Sequence, residues 1–448
     1  MARRSRPFLT DLIRALTGER RSRERDPDSP EALEHALARP PLERLLAACD
    51  VLMGQLGEAS LVAVAAEAVD AYAELDEEGK AAFFRHLRDH FGAEATPIRA
   101  AYADWSENPD AANLAVLFRS AEPRRQQLLR RLNMTSGATL DLVHMRADLL
   151  RAAKRDPELV PLDADFVHLL TAWFNRGFLE MRRIDWETSA SILEKILEYE
   201  SVHPMDGWDE LRRRLDPVDR RCYAFFHPTT GNEPLIFVEV ALTREIPGAI
   251  APLLEPGEAI DPEDADTAVF YSINNSLTGL RGISFGSFLL KQVVAALGQD
   301  LPGLQRFVTL SPAPGFARWL ASEAEHDAAV AELVDRLDER TWLQDQNLQE
   351  SLRPAVLGAA ARYFLRAKNP KGAPLDPVAR FHLGNGASAD RITWPADLSE
   401  SALSRGYGVM INYRYELGLI EARHEAFVRD NTVTHSDALE ELLDAEQE

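Results

Sequence analysis

One glycine-containing segment, residues 280–287, has the composition of an anion-binding turn. Its sequence LRGISFGS follows an apolar, β-branched run and directly precedes a helical pattern. Glycine lets backbone N–H groups approach a ligand closely, and the N-terminus of a following helix carries partial positive charge. The spacing matches neither the dinucleotide-binding motif nor the nucleotide phosphate loop. Although such turns also occur in purely structural roles, its residues are candidates for ligand binding: Arg281, Gly282, Ile283, Ser284, Phe285, Gly286 and Ser287.

A serine and a histidine further along the chain have surroundings suited to proton chemistry. Ser311 directly follows a short predicted strand, residues 307–310, and open α/β sheets place ligand-binding groups at the carboxyl ends of strands. The G-x-S-x-G motif of a nucleophilic serine is absent around it, so an acyl-enzyme role is not expected. His382 lies between apolar neighbours and a Gly-Asn-Gly turn, where partial burial lowers the pKa of an imidazole toward neutrality or below.

The last predicted strand, residues 408–415, ends in the sequence NYRY. Strand alternation places Tyr413 and Tyr415 on one face and Asn412 on the other. Core packing is an ordinary explanation for both tyrosines. A structural role also stays open for Ser311, whose hydroxyl can form a hydrogen bond with the backbone of its own turn, and for His382.

The elements that must position these residues fall into two parts. Residues 29–200 carry helical periodicity almost throughout, which predicts an all-α bundle. From residue 201 the pattern changes, and helical periodicity then returns over 316–367. The sequence therefore predicts a helical domain, 29–200, followed by a mixed α/β domain, 201–448. The aromatic and β-branched runs that predict the first strands of this second domain are 221–227, 234–243 and 267–273.

The composition of the chain excludes several classes of protein. Its 448 residues carry 50 basic and 72 acidic side chains, a formal net charge of −22, which disfavours nucleic-acid binding by general electrostatics. The sequence holds no run of about 18 apolar residues, so no membrane span is predicted. Its two cysteines, Cys49 and Cys222, lie outside metal-ligand spacing, so neither a disulfide framework nor a zinc site is expected.

The basic arm, residues 1–28, has two interpretations. It is rich in arginine and carries an apolar stripe, as amphipathic organelle-targeting segments do. Asp11 and Glu19 interrupt the acid-poor pattern of such segments, which favours a mobile arm or a short helix. We therefore predict a bacterial cytoplasmic protein, with a mitochondrial location as the alternative.

Five segments taken in order resemble the malonyl-CoA decarboxylase family. They cover about 200 residues of the second part, and their order makes the resemblance far more specific than any one segment does. Residues 281–286 also resemble the pyrophosphate loop R-x-x-G-x-G/A of GNAT acyltransferases, with Ser284 at the inner glycine position. The five segments are RCY at 221–223 with EPL at 233–235, GLRG at 279–282 with GSFL at 286–289, LSPAPGF at 310–316, ARFHLGNG at 379–386, and NYRY at 412–415.

The resemblance implies a fold, a reaction and a set of partners. The fold is a helical oligomerisation domain followed by a GNAT-like α/β domain with a mixed sheet and a helical insertion. The reaction, that of a carboxy-lyase, converts malonyl-CoA to acetyl-CoA and CO2 without metal or organic cofactor, coenzyme A being part of the substrate. The implied partners are malonyl-CoA, acetyl-CoA and further copies of the chain in a dimer or tetramer, with no nucleic acid and no membrane.

The resemblance also implies roles for individual residues. The family's serine, histidine and active-site tyrosine match Ser311, His382 and Tyr415, and its CoA loop matches residues 281–287. Ser284 stands where the family often has an acidic residue, which removes a carboxylate from this loop.

The reaction explains why such residues are needed. Loss of CO2 leaves an enolate, which requires hydrogen-bond donors at the thioester oxygen and a proton source for the new methyl group. We predict that His382 donates the proton and that Ser311 is its hydrogen-bonded partner. Tyr415, Asn412 or backbone N–H groups are the predicted donors to the oxygen.

Two alternative functions stay open at the level of the sequence. The first is a GNAT acyltransferase that passes an acyl group from CoA to an amine, with Glu239 or His227 as general base. The second is a non-catalytic acyl-CoA sensor whose helical domain contacts a partner. The release of CO2 without an added amine separates the first from a decarboxylase, and ligand binding without product formation identifies the second.

Overall fold

The computed structural model describes residues 39–55, 57–283 and 289–444. The chain divides into two compact units. The first unit comprises the chain up to Leu179, the loop His227–Gly231 and a segment that begins at Leu277, and the second comprises the remainder. The predicted basic arm, 1–28, and residues 284–287 of the predicted CoA loop lie outside the described residues.

The first unit is helical because apolar residues recur at helical spacing and capping residues mark several helix starts. Asp76 and Asp110, for example, each accept a hydrogen bond from a backbone N–H of the first turn that follows them, at 2.8 Å in both cases. The described α-helices of this unit are α1 Pro41–Leu52, α2 Glu58–Ala73, α3 Glu77–His90, α4 Ala95–Glu107, α5 Ala111–Ala121, α6 Arg124–Leu132, α7 Ala138–Arg155 and α8 Val160–Trp173.

The core of the first unit is aromatic and aliphatic, and one helix stays outside it. Phe83 and Phe84 of α3 are fully buried, and both rings pack edge-on against Tyr72 of α2. In α5, by contrast, none of the eleven described residues is buried. Leu114 and Phe118, one turn apart on this helix, are 52% and 78% exposed, so they form an apolar surface that we call the α5 patch.

The second unit is built on a mixed sheet of eight strands with the order β1-β2-β3-β4-β5-β8-β6, in which β7 also pairs with β8. All pairs are antiparallel except β4 with β5. The strands are β1 Glu180–Ile184, β2 Arg220–Phe226, β3 Pro234–Thr243, β4 Thr267–Asn275, β5 Arg306–Thr309, β6 Ser311–Pro312, β7 Ser388–Thr393 and β8 Met410–Tyr415.

Helices connect and cover these strands. No helix among the described residues is long and apolar enough to cross a membrane. The helices of the second unit are α9 Ala190–Tyr199, α10 Trp208–Leu215, α11 Ala251–Leu254, α12 Leu289–Asp300, α13 Phe316–Ala324, α14 Ala328–Asp338, α15 Gln346–Leu365, α16 Pro377–Gly384, α17 Glu400–Gly406, α18 Ile420–Asp430 and α19 Asp437–Asp444.

Strand alternation gives the sheet two faces with different contents. One face packs against apolar clusters, and Met410 of β8 belongs to one of them. Ile411, the next residue, points to the other face. Ser311 pairs with Ile411 across β6 and β8, and Tyr413 and Tyr415 follow at two-residue spacing. These residues therefore share the face opposite the apolar clusters.

The predicted fold class is confirmed: a helical region is followed by a mixed sheet with helices, and α13 to α15 form the helical insertion. Strand β3 has the predicted bounds, and the other predicted strands lie within two residues of theirs at each end. We did not predict β1, β7 or the two-residue strand β6. The sequence of β1, EMRRI, is charged and mostly exposed, as expected of an edge strand that pairs with β2 alone.

Along the chain, the first long segment of the first unit ends at Leu179, whereas we predicted a domain boundary at residue 200. The difference arises because β1 and α9 fold with the sheet. Strand β1 pairs with β2, and Ile192 and Ile196 of α9 pack against the strands in one apolar cluster. Their helical and charged patterns look like those of the preceding bundle.

Candidate active site

Ser311 lies where two neighbouring strands of the sheet separate. The parallel pairing of β4 with β5 ends at Thr309, and Ser311 then begins the short strand β6, which pairs with β8 instead. Ser311 is 5% exposed. The predicted position at the carboxyl end of a strand is therefore observed, and its hydroxyl is directed into the protein.

His382 lies near the C-terminal end of α16, a helix whose start is fixed by a buried carboxylate. Asp376 accepts hydrogen bonds from the backbone N–H of Ala379 at 2.8 Å and from the hydroxyl of Tyr363 at 2.9 Å. The imidazole of His382 is 2% exposed. The ring of Tyr413 stacks on it with centroids 4.6 Å apart and planes 23° apart. Helix capping and ring stacking together fix the orientation of the imidazole.

A continuous set of hydrogen bonds joins the three predicted catalytic residues. The hydroxyl of Tyr415 lies 2.8 Å from Nδ1 of His382, and Nε2 of the same ring lies 3.1 Å from Oγ of Ser311. The Ser311 hydroxyl donates in turn to Oγ1 of Thr309 at 2.9 Å. We call these four residues the hydroxyl–imidazole chain. The structure thus brings Ser311, His382 and Tyr415 into direct contact.

Burial fixes the protonation states of the hydroxyl–imidazole chain. Desolvation lowers the pKa of His382 from 6.5 to about 3, so the imidazole is neutral at pH 7. Burial also raises the pKa of Tyr415 well above its ordinary value of 10, so the phenol keeps its proton. The chain is therefore uncharged as it stands, and any negative charge brought into contact with it would favour protonation of the imidazole.

Asn412, which we predicted to bind substrate, is separated from the hydroxyl–imidazole chain by the alternation of β8. Its amide nitrogen donates to the backbone oxygen of Thr309 at 2.7 Å, and its amide oxygen accepts from Arg391 at 3.2 Å. The residue is fully buried. These contacts tie β5, β7 and β8 together, so the geometry gives Asn412 a structural part in holding the strand ends.

The described portion of the predicted CoA loop, residues 281–283, belongs to the first unit. Gly282 has φ +78°, a conformation that side chains other than glycine rarely adopt, and within the described residues nothing lies within 4 Å of where its Cβ would be. The side chain of Arg281 is exposed, whereas Ile283 is buried. The turn therefore presents an open backbone and a cation at its surface.

Arg146, a residue that the sequence did not single out, holds this turn on helix α7. Its Nη1 donates to the backbone oxygens of Gly279 at 2.6 Å and of Arg281 at 2.8 Å. Its Nε donates to Asp163 at 2.7 Å, and the guanidinium is 3% exposed. The turn lies so close to the helix that a Cβ on Gly279 would be 1.8 Å from the backbone oxygen of Val143.

A second set of buried polar side chains lies on the face of the sheet that packs against the apolar clusters. We call Glu200, Arg214, Glu239, Ser272 and Asn274 the carboxylate cluster. The carboxylate of Glu200 accepts from the hydroxyl of Ser272 at 2.7 Å and from the amide of Asn274 at 2.8 Å. Arg214 lies 3.3 Å from Glu239 and pairs with Glu210 at 2.7 Å. The ionisable side chains of the carboxylate cluster thus have partners within the protein.

The two residues considered as bases of an acyltransferase do not join the hydroxyl–imidazole chain. Glu239 is fully buried on the opposite face, where burial and the nearby charge of Glu200 raise its pKa to about 8. His227 belongs to the first unit, where its ring lies 5.0 Å from that of Phe174 and 5.9 Å from that of Phe178. Burial lowers its pKa from 6.5.

Sequence reasoning missed Thr309 and Asp376, although each left a signal. Thr309 lies two residues before Ser311, and residues at this spacing in extended chain share a face. Asp376 precedes Pro377, and Asp followed by Pro is a typical helix start. Arg146 left no signal, because its contacts with the turn join residues more than 130 positions apart.

Comparisons with known proteins give a consistent result. A family model described as the malonyl-CoA decarboxylase C-terminal domain matches residues 177–448, and one described as the malonyl-CoA decarboxylase N-terminal domain matches residues 91–174. The mitochondrial malonyl-CoA decarboxylases of Anser anser anser and Mus musculus are each 35% identical over 326 residues, 66% of this chain. The matched regions span 64% and 66% of those relatives' own lengths, just under two thirds.

Solved structures extend the similarity over nearly the whole chain. The crystal structure of malonyl-CoA decarboxylase from Rhodopseudomonas palustris has a TM-score of 0.86 and 49% sequence identity, covering 89% of this chain and 99% of that one. The enzyme from Agrobacterium vitis has a TM-score of 0.85 and 46% identity over the same shares of the two chains.

Proposed function

This chain belongs to the malonyl-CoA decarboxylase family, as its sequence motifs predicted, and from that premise we propose that it converts malonyl-CoA to acetyl-CoA and CO2. The observation that carries the proposal is the buried, uncharged hydrogen-bond chain from Tyr415 through His382 to Ser311. A neutral imidazole in a desolvated setting is suited to proton transfer at an enolate carbon, where water would compete for the donor groups.

The first step breaks the bond between the malonyl carboxylate carbon and the α carbon. The electron pair of that bond passes to the α carbon and the thioester oxygen, and CO2 leaves. Hydrogen-bond donors near the thioester oxygen stabilise the resulting enolate, each contributing about 3–4 kcal/mol in comparable sites. Nearby backbone N–H groups are the proposed donors, together with the hydroxyl of Tyr415, which is free to donate once His382 is protonated and no longer accepts from it. The amide nitrogen and oxygen of Asn412 are both engaged elsewhere.

The second step protonates the enolate carbon. The malonyl carboxylate brings negative charge to the site, which raises the pKa of His382 from its low value in the free protein. The imidazole therefore takes up one proton from solvent when the substrate binds and becomes an imidazolium. After CO2 leaves, Nε2 gives its proton to the α carbon, and the imidazole becomes neutral again. The oxygen of Ser311, 3.1 Å from Nε2, is placed to accept from the ring and to hold its orientation.

Residues 281–287 are the proposed CoA pyrophosphate loop. Gly282 gives an open, left-handed backbone, and Arg281 is an exposed cation beside it. Together they supply local positive potential in a chain whose net charge is −22. We expect Gly286→Asp to weaken CoA binding strongly, because the new carboxylate opposes the pyrophosphate. Titration calorimetry with CoA measures this, and unchanged affinity argues against the loop.

Incubation of the purified protein with malonyl-CoA tests the function directly. We expect acetyl-CoA and CO2 to appear in equal amounts without any added cofactor or amine. Product that forms only when an amine is present would support an acyltransferase instead. Binding of malonyl-CoA without any product would support an acyl-CoA sensor.

We also propose that copies of the chain associate through the helical unit, as a dimer or tetramer. The α5 patch supports this, because Leu114 and Phe118 leave an apolar surface uncovered. Sedimentation equilibrium of the protein and of Phe118→Glu measures the association, and a monomeric parent protein would refute it.

A bacterial cytoplasmic location, with mitochondria as the alternative, stays a prediction that fractionation of the source cells would test.

A further inference from the structure

Thr309 ends strand β5 with its side chain fully buried next to Ser311. Its Oγ1 accepts two hydrogen bonds, one from the hydroxyl of Ser311 at 2.9 Å and one from the backbone N–H of Tyr413 at 3.0 Å. Its backbone oxygen accepts a third, from the amide of Asn412 at 2.7 Å. Strand β8 thus holds Thr309 in a position where its Oγ1 accepts the proton of Ser311.

This contact determines the direction of every hydrogen bond in the hydroxyl–imidazole chain. A serine hydroxyl has one proton, and that of Ser311 is directed at Thr309. Toward His382 the Ser311 oxygen can therefore only accept, so Nε2 of the neutral imidazole must carry the ring proton. Nδ1 is then the acceptor, and the hydroxyl of Tyr415 donates to it at 2.8 Å.

We propose that Thr309 is a positioning residue that fixes His382 as the Nε2–H tautomer, with the ring proton directed at Ser311. This inference rests on the proposed function for its catalytic meaning. With the ring proton already on Nε2, Nδ1 is the nitrogen that takes up the second proton of the imidazolium, and Nε2 gives its own proton to the enolate carbon. Without the Thr309 hydroxyl, Ser311 is free to donate to Nε2. The lone pair of Nε2 then faces Ser311, and the ring proton moves to Nδ1.

Two substitutions at Thr309 separate the hydroxyl from the shape of the side chain. Thr309→Val keeps the volume and removes the hydroxyl, whereas Thr309→Ser keeps the hydroxyl. We expect Thr309→Val to lower kcat about 10- to 100-fold with KM changed less than about threefold, because a wrong tautomer impairs proton transfer and not binding. We expect Thr309→Ser to restore turnover to within about threefold of the parent protein.

Thr267 offers a matched control for these substitutions. It is also a fully buried strand threonine, and its hydroxyl accepts from Arg306 at 2.8 Å. Thr267→Val removes a buried hydroxyl that lies outside the hydroxyl–imidazole chain. We expect it to leave kcat unchanged within about twofold.

Nitrogen-15 NMR of the histidine rings reads the tautomer without reference to activity. His382 is one of 11 histidines, and its signals are those lost in His382→Asn. We expect the parent protein and Thr309→Ser to show a protonated Nε2 and an unprotonated Nδ1. We expect Thr309→Val to show a substantial population with the proton on Nδ1.

The outcomes distinguish this inference from the proposed function. A parent protein with its proton on Nδ1 would overturn the tautomer assignment even if neither Thr309 variant folded. Loss of turnover in Thr309→Val with an unchanged tautomer would show a merely structural role and would also overturn it. A parent protein that keeps the Nε2 proton but does not consume malonyl-CoA would refute the proposed function alone.

Discussion

The two faces of the sheet bury polar groups in contrasting ways. The hydroxyl–imidazole chain consists of neutral groups, and burial alone accounts for the lowered pKa of His382. The carboxylate cluster contains ionisable groups whose charges are compensated inside the protein, by Arg214 and by hydrogen bonds to Glu200. A buried charge that already has a partner in the protein stabilises the fold. A buried neutral imidazole, by contrast, becomes charged only when a ligand brings a negative charge next to it.

Within the carboxylate cluster, the two carboxyl groups differ in the number of donors around them. Glu200 accepts from the backbone N–H groups of Val202 and His203 as well as from Ser272 and Asn274. Glu239 is fully buried and has one cation beside it, and its pKa is raised to about 8. Near neutral pH the proton therefore resides on Glu239 in a substantial fraction of molecules.

The largest expected effect is on turnover and separates the two faces. His382→Asn keeps a polar side chain but removes the proton donor, so kcat should fall by roughly 10²–10⁴. Affinity for CoA should change little, since the proposed CoA loop lies elsewhere in the chain. Steady-state kinetics with malonyl-CoA and calorimetry with CoA measure the two quantities.

The matched variant on the other face is Glu239→Gln, which is isosteric with the protonated carboxyl. It should leave kcat within about threefold of the parent protein, because Glu239 contacts Arg214 and not the hydroxyl–imidazole chain. Full activity in His382→Asn would remove the catalytic role of the imidazole. A large loss in Glu239→Gln would mean that the two faces are not functionally separate.

The sequence predicts the face with the hydroxyl–imidazole chain better than the face with the carboxylate cluster. Ser311, His382 and Tyr415 were identified by resemblance to a family, and alternation in NYRY correctly placed the two tyrosines on one face. The carboxylate cluster escaped prediction. Glu200 directly follows α9, Arg214 lies in α10 and Glu239 in β3, and they meet only through packing and sheet register. Charged residues usually indicate solvent-exposed surface, so their burial has no local sequence signal.

The same limit applies to the fold. Long apolar strands such as β3 were predicted with their bounds because their patterns are uninterrupted. Strand β1 was missed, as was β7, whose sequence SADRIT carries two charges. Helix α16 was missed because its eight residues are too few to show periodicity, although Asp376 and Pro377 mark its start.

The second prediction concerns stability and should be smaller in free energy. Glu200→Ala removes the acceptor of four hydrogen bonds and leaves buried donors unpaired, including Ser272 and Asn274. We expect a loss of about 3 kcal/mol in the free energy of unfolding. Urea denaturation followed by tryptophan fluorescence measures it, with Ser311→Ala as the control, which should lose about 1 kcal/mol. Equal losses in the two variants would contradict the division into a structural and a catalytic face.

The smallest expected effect is a pH dependence of opposite sign on the two faces. The pKa of His382 is lowered from 6.5 to about 3. Between these values the unfolded chain binds a proton that the folded protein does not, so stability is lost as the pH falls. The pKa of Glu239 is raised from 4.5 to about 8. Between those values the folded protein holds a proton that the unfolded chain has released, so stability is lost as the pH rises.

Two variants isolate these contributions from the other titrating groups. Compared with the parent protein, His382→Asn should reduce the loss of stability between pH 6 and pH 4, by at most about 1.4 kcal/mol per pH unit. Glu239→Gln should reduce the loss of stability that occurs as the pH rises from 5 to 7.5, by at most about the same amount per pH unit. The free energy of unfolding changes with pH in the opposite direction in this range. Urea unfolding at each pH gives both differences. In each case the limit corresponds to one proton. If the free energy of unfolding of His382→Asn varied with pH in parallel with that of the parent protein, the imidazole would already be charged in the folded state. That result would refute a neutral hydroxyl–imidazole chain.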